Sequence, residues 1–331
     1  MSTSGNGRNG GTANGRRPGP MYTEPDKRTS LEDLAAHVSD GDVTAIGGGL
    51  SSREPMAVIR ELLRRGTSDL DVVGSAHGID IDLLCGGGAV SKSSESYVGF
   101  EQDFGMAPNY RRACESGDVD VNDSCCYTVV QQLRAAIMGL PFMPVRSIRG
   151  TSVFDMHPEY KTMTCPYTGE ELVLVPAVTP DVAVIHAQYG DEHGNLLIQG
   201  PPVADILFAK AARKVIATVE EVVSNERLHE LGGPNIPYFY VARLAEVPMG
   251  AHPTACYPFY AYDREHTKAY YAAAKKGADA FKSEYLDPFV YDCPDHEAYL
   301  AKIGGAETAE HLASWKQGNQ AWMELYGGQP A

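Results

Sequence analysis

Residues 40–55 read Asp40-Gly41-Asp42-Val43-Thr44-Ala45-Ile46-Gly47-Gly48-Gly49-Leu50-Ser51-Ser52-Arg53-Glu54-Pro55. Val43–Ile46 is a short apolar run that reads as a buried strand. Three glycines follow, and Pro55 stands where the first turn of a helix over 56–65 should begin. A strand, a glycine turn and a helix start in that order present free backbone N–H groups and the positive end of a helix dipole, which suits an anion or an oxyanion. Such turns are common in α/β proteins, so the ligand stays open at this point. Nucleotide fingerprints are absent: there is no G-x-G-x-x-G spacing, and no Lys-Ser/Thr follows the glycines.

Upstream of this stretch, residues 1 to about 22 are rich in Gly, Asn, Ser and Arg with almost no apolar content. They cannot bury enough surface to offset their ordering entropy, so a disordered tail is expected. Folded structure is expected from Asp26, with Thr29-Ser30-Leu31-Glu32 as a capping box for a helix reaching about Val38. Downstream, the spacing predicts a strand over 70–74, a short helix over 80–85, and a strand over 97–100. A helix over 108–115, a short strand over 119–121, a helix over 127–138 and a strand near 145–148 follow. Strands are expected at 171–176, 182–188 and 196–199, then a helix over 203–213 and strands at 215–219 and 241–247. From Thr267 on the chain reads as helical and charged. Short strands alternating with helices of about ten residues predict a mostly parallel, open α/β sheet with crossover helices.

The 331 residues are ample for a sizeable core. No apolar run approaches membrane-spanning length, and the N-terminus has no apolar signal region, so a cytoplasmic protein without membrane association is expected. The net charge of −15 excludes general nucleic-acid affinity, which needs a Lys/Arg face. It would also repel a polyanion, so a phosphate-bearing substrate must be met locally. Seven cysteines, at 85, 114, 125, 126, 165, 256 and 293, contain no C-x-x-C. An odd, scattered set fits reduced thiols better than a disulfide scaffold or a zinc site, and no metal is expected.

Taken at full spacing, residues 40–55 resemble the pattern Asp-Gly-x-x-(three apolar)-Gly-Gly-Phe-x-x-x-Gly-x-Pro of the A subunits of class I CoA-transferases. Asp40, Gly41, Gly47, Gly48 and Pro55 match; Thr44, Gly49 and Arg53 depart, at an apolar, a Phe and a Gly position. The resemblance continues through Thr67-x-Asp69-Leu70, Ala107-Pro108-Asn109, Gly139-Leu140-Pro141-Phe142-Met143-Pro144 and Val184-Ile185-His186-Ala187-Gln188 with Gly194-Asn195. It includes Val219-Glu220-Glu221, Gly250-Ala251-His252-Pro253 and Asp295-His296-Glu297-x-Tyr299-Leu300. The late block Ala251-His252-Pro253-Thr254-Ala255-Cys256-Tyr257 looks most like the A subunit of the glutaconate CoA-transferases. Residues 26–303 are covered, the tail is not, and 304–331 read as a C-terminal helical extension.

The resemblance implies a fold of the CoA-transferase / NagB-RpiA-like kind. It also implies CoA transfer between an acyl-CoA and a small carboxylic acid, glutaconate-like or a 3-oxo acid. Coenzyme A is then a substrate and no resident cofactor is expected. In the split enzymes of the family a Glu of the B subunit, in a Ser-Glu-Asn-Gly type motif, carries CoA as a glutamyl thioester. This chain has no such motif, so the resemblance implies a B-type partner, in an α2β2 assembly, that supplies the nucleophile.

The half-site expected here has several candidates. Gly47, Gly48 and Gly49 can offer N–H groups to a carboxylate, phosphate or oxyanion. Ser75 and His77, in Gly74-Ser75-Ala76-His77-Gly78, should open on the same sheet edge as candidate substrate contacts. Glu101 is the acid of most interest, for orienting substrate or acting on water, with a capping or ion-paired carboxylate as the plainer reading. Gln188 is a further contact candidate. Glu220 and Glu221 read as structural. His186, Asp191 and His193 resemble metal ligands on paper, but 191–195 is turn chemistry. Arg146 and Arg149 can hold an anion or pair on the surface. The run 257–262 reads as packing or interface. Two other readings stand beside the transferase. One is a ring-opening CoA-ester hydrolase of steroid-type catabolism, which the chain resembles at Asp26-Lys27-Arg28-Thr29 but whose acidic residue after the fourth strand falls near Cys126. The other is a non-catalytic binding subunit.

Overall fold

The computed structural model describes residues 25–315; the tail of residues 1–22 and the last part of the 304–331 extension lie outside them. Eleven strands form two sheets among the described residues: β1 Val43–Ile46, β2 Leu70–Val73, β3 Val90–Ser94, β4 Asp120–Val121, β5 Phe142–Val145, β6 Lys161–Thr164, β7 Glu171–Pro176, β8 Val182–Gly190, β9 Leu196–Leu197, β10 Lys214–Val222 and β11 Val241–Glu246. The large sheet runs β11-β10-β8-β1-β2-β3-β4, and every neighbouring pair on that path is parallel; β9 alone pairs antiparallel, with β8.

Strand order explains where a site can form. From β1 the chain winds outward through β2, β3 and β4, then returns to the other side of β1 as β8 and winds through β10 and β11. The winding direction reverses between β1 and β8, in register at Ala45↔Ala183. In parallel sheets such a switch parts the loops at the carboxyl ends of the strands and leaves a crevice there. The glycine turn lies at this switch.

Alternate side chains of the central strands supply the two cores. Ile46, Val72, Val182 and Val184 pack with the helices Met56–Arg64 and Ile79–Gly86 on one face. Ala45, Val73, Ala183 and Ile185 pack with Cys126–Ile137 and Asp205–Ala211 on the other. The period of two on a sheet buried on both faces makes these strands read as continuous apolar runs.

Several boundaries differ from expectation. The first helix is only Leu31–Ala35, capped by Ser30, whose Oγ accepts from Asp33 N–H at 3.1 Å. Residues 97–100 are not a strand; Val98 and Gly99 make single bridges to His77 and Met106. The third strand is instead Val90–Ser94, whose sequence Val-Ser-Lys-Ser-Ser hides it from an apolar search. The strand expected near 145–148 is β5, in a separate antiparallel sheet of order β5-β7-β6. Its edge strand Lys161–Thr164 is exposed throughout and so carries no burial pattern.

Helices after residue 263 belong to the core. Asp263 caps Arg264–Lys275, whose Tyr270 packs with Phe281 and Tyr285 against Met56–Arg64. Beneath them Arg60 is fully buried, stacked 3.5 Å from the Tyr299 ring and donating to the His252 carbonyl at 3.1 Å. Gly305–Ala313 buries Leu312 against Ala251, Cys256 and Tyr260.

Candidate active site at the carboxyl edge of the sheet

Every glycine N–H of the turn after β1 is engaged inside the protein. Gly47 donates to Val184 O at 2.8 Å, Gly48 to Asp205 Oδ1 at 3.0 Å and Gly49 to Ser52 O at 2.9 Å. The helix that follows is no freer, since Ala57 N–H donates to Gly250 O at 2.8 Å. The expectation of an anion cradle at Gly47–Gly49 is therefore corrected: the donors close the turn on itself and on neighbouring loops. The glycines are needed for space and conformation. A Cβ on Gly47 would lie 2.5 Å from Asp205 Oδ1, and one on Gly48, at φ +78°, 2.5 Å from the Arg53 backbone.

Arg53, the departure from the family pattern, fixes this arrangement. Its Nη2 donates to Asp205 Oδ2 at 3.0 Å and to Pro201 O at 2.9 Å, and the pair is fully buried. Arg53 does not face a ligand, and its charge is cancelled in place.

The turn after β2 uses its side chains differently. His77 is 1% exposed. Its Nδ1 lies 2.5 Å from Asp80 Oδ2 and its Nε2 3.9 Å from Glu95 Oε2. Burial by itself would lower its pKa, but Asp80 and Glu95 outweigh burial and hold the imidazolium up to about 9. As a direct substrate contact His77 is corrected: it lies beneath the turn. Glu54 accepts from the N–H groups of Gly78 and Asp80 at 3.1 and 3.2 Å, capping Ile79–Gly86; burial, then Asp80, raises its pKa. Ser75 is half-buried at the edge, and its carbonyl accepts from the Ser96 hydroxyl.

Glu101 is exposed and begins the short helix Glu101–Phe104 at φ +47°. It lines a cavity of about 280 Å³ with Leu50, Ser51, Phe100, Asp103 and Tyr262. Asp103 is held by Arg264 at 3.1 Å, whereas the Glu101 carboxylate has no hydrogen bond or ion pair among the described residues. Leu50 (φ +57°), Arg53 (+54°) and Val203 (+45°) share the left-handed backbone of Glu101, and Val203 approaches Gly49 from the other side. Four non-glycine residues in this costly region at one sheet edge is the kind of strain that collects at ligand sites.

Other candidates are occupied elsewhere. Gln188 donates to Gln199 O at 3.1 Å and Tyr257 O at 2.5 Å and accepts from Gln199 N–H at 3.0 Å, so its amide ties two loops together. Glu220 is buried, bonded to His186 Nε2 at 2.7 Å, Met249 N–H at 2.8 Å and the Tyr260 hydroxyl at 2.6 Å. Cys256 lies near this pair, but both carboxylate oxygens and both His186 nitrogens already have partners. Asp191 accepts from His193, Asn195 and Asn225 in a turn. Arg146 and Arg149 both pair with Glu170 on the surface. Sequence reasoning passed over Asp205, Glu95 and Ser96; Asp205 opens the helix Asp205–Ala211, and Glu95 and Ser96 sit in a loop whose only signal is polarity.

The coenzyme A transferase profile matches residues 28–246. The chain belongs to the coenzyme A transferase family. It is 33% identical to the A subunit of glutaconate CoA-transferase from Acidaminococcus fermentans, over 84% of this chain and 92% of that one. The crystal structure of that enzyme superposes with TM-score 0.82 and 32% identity, covering 86% of this chain and 95% of the other. Similarity is as high, 34%, to the cholesterol ring-cleaving hydrolase IpdA subunit of Rhodococcus jostii, over 77% of this chain and 89% of that one. The structure of the decarboxylase AibA/AibB matches with TM-score 0.72 and 34% identity, covering 80% and 98%. An uncharacterised protein of Archaeoglobus fulgidus is 35% identical over 88% of this chain, which spans 65% of that relative's length. Among the described residues no helix is long and apolar enough to cross a membrane.

Proposed function

We propose that this chain is the A subunit of a heteromeric CoA-transferase and forms one wall of a site completed by a B-type subunit, in an α2β2 assembly. One observation carries this reading. At the carboxyl edge, Glu54, Asp80, Glu95, Asp205 and Glu220 are all buried, and of the two acids that line the cavity Asp103 is paired with Arg264, so Glu101 is the one carboxylate there without an ion pair among the described residues. That supports a nucleophile arriving on the partner. A partner carboxylate attacks the acyl-CoA thioester, giving an acyl-glutamyl anhydride and CoA thiolate. The thiolate then attacks the glutamyl carbonyl and releases the first carboxylic acid, leaving CoA on the partner as a thioester. The acceptor acid repeats the sequence in reverse. On this chain Leu50, Ser51, Ser75 and Glu101 face the acyl group and exclude water from it. A small dicarboxylate or 3-oxo acid is the substrate class that suits a cavity of about 280 Å³.

A CoA-ester hydrolase is the second reading, favoured by the unpartnered Glu101, which can act on water. The two are separated by giving the purified complex an acyl-CoA with and without acetate. Transfer predicts a new acyl-CoA with no free thiol; hydrolysis predicts thiol release independent of the acceptor. Full turnover by this chain without a partner would overturn the half-site reading.

A further inference from the structure

Glu95 is an anomaly. It is 3% exposed, and neither carboxylate oxygen has a hydrogen-bond partner. Both oxygens press on bare Gly74, where a Cβ would come within 2.5 Å of each. Across Gly74 stands His77 Nε2, whose other ring nitrogen is bound to Asp80. An ionised carboxylate so placed, with no donor, is strongly disfavoured. Backbone bonds join the two turns that carry this pair. His77 N–H donates to Tyr97 O and Gly99 N–H to His77 O, each at 3.0 Å, and the Ser96 hydroxyl donates to Ser75 O. Directly above, Ser75 lies at the edge and Gly99 lines the cavity that holds Glu101.

We propose that His77 and Glu95 are positioning residues: an imidazole–carboxyl pair seated on Gly74 locks the turns after β2 and β3 together, and so holds Ser75 and Glu101 against the acyl-CoA. The link to acyl-CoA rests on the function proposed above; the lock itself does not. The lock needs its protons. Groups facing His77 are Glu54, Asp80, Glu95 and Asp205; those facing Glu95 are His77 and Asp80, with Cys85 and Tyr110 beyond. Glu54 abuts Asp80. Burial holds the Glu95 carboxyl up to about 8. Above that pH Glu95 becomes a buried carboxylate with no hydrogen-bond donor, and the turns part.

In the complex with its B-type partner, kcat should fall about tenfold between pH 7 and pH 9 with KM within about threefold. In Glu95→Gln, which cannot ionise, the fall over the same range should be under about threefold. His77→Gln should lower kcat by about tenfold or more at every pH, again with little change in KM. An alkaline limb that Glu95→Gln leaves in place overturns the proposal. If the complex neither transfers CoA nor hydrolyses thioesters, the functional reading fails, and the lock is still tested by the wild-type Tm. Both folded-state values are raised, from 4.5 for Glu95 and 6.5 for His77, so stability should be lost as pH rises through about 8 and about 9. A Tm that stays flat from pH 6 to pH 9.5 overturns the lock without any variant having to fold.

Discussion

Two turns at the same sheet edge, after β1 and after β2, read alike in sequence and work in opposite ways. Both are glycine-bearing, both follow a buried parallel strand, and both lead into a helix. The first is tied by an ion pair, Arg53 with Asp205, whose opposite charges cancel where they are buried. The second is tied by His77 among Asp80, Glu95 and Glu54, where carboxylates outnumber cations and protons must make up the difference. A glycine turn at a strand end is thus not by itself a ligand cradle. What matters is where its N–H groups go and how its buried charge is balanced.

The first turn should be very sensitive to loss of either charge. Arg53→Ala leaves Asp205 buried and unpaired, so unfolding in urea should show a loss of about 3–5 kcal/mol. Gly48→Ala combines a φ of +78° with a clash against the Arg53 backbone, and should cost about 2–3 kcal/mol by the same measurement. Gly47→Ala meets the buried Asp205 side chain, which Gly48 N–H and Arg53 hold in place, and should cost about 1–3 kcal/mol. If these glycine variants left stability unchanged, the turn would be looser than described and the cradle reading would reopen. In the second turn Tm should fall as pH rises, with Glu95→Gln flattening the part of that fall that ends at about pH 8. Smallest in stability is Glu101→Gln, an exposed change expected within about 0.5 kcal/mol. In activity it should lower the rate of the complex by about tenfold or more; an unchanged rate would remove Glu101 from the site.

Much of the fold was legible because a doubly covered parallel sheet imposes long apolar strands and regular crossovers. Val43–Ile46, Leu70–Val73 and Glu171–Pro176 fall within a residue of expectation. Strands that depart from that rule were missed: Val90–Ser94, whose centre is polar, and Lys161–Thr164, which buries nothing. At the proposed site, the sequence singled out Glu101, which is exposed and lines a cavity, but it also credited Gly47, Gly48, Gly49 and Gln188 with ligand contacts although their polar groups bond within the protein, and His77 although it is buried. Several of those bonds go to residues distant in sequence, such as Asp205 or Tyr257, and such pairings have no local signature.

Local physics therefore determined, from the amino-acid order alone, the alternation of strands and helices and the family. Those properties follow from period, turn conformation and motif spacing, which act over a few residues. Only the tertiary structure decided which polar groups are exposed and which are sealed in, because burial is a property of the assembled sheet. Arg53 and Asp205 lie 152 positions apart and cancel. His77 and Glu95 come from adjacent strands and meet over a glycine. The glycine turn whose donors the sequence assigned to a ligand turned them inward, since the folded chain supplied nearer acceptors.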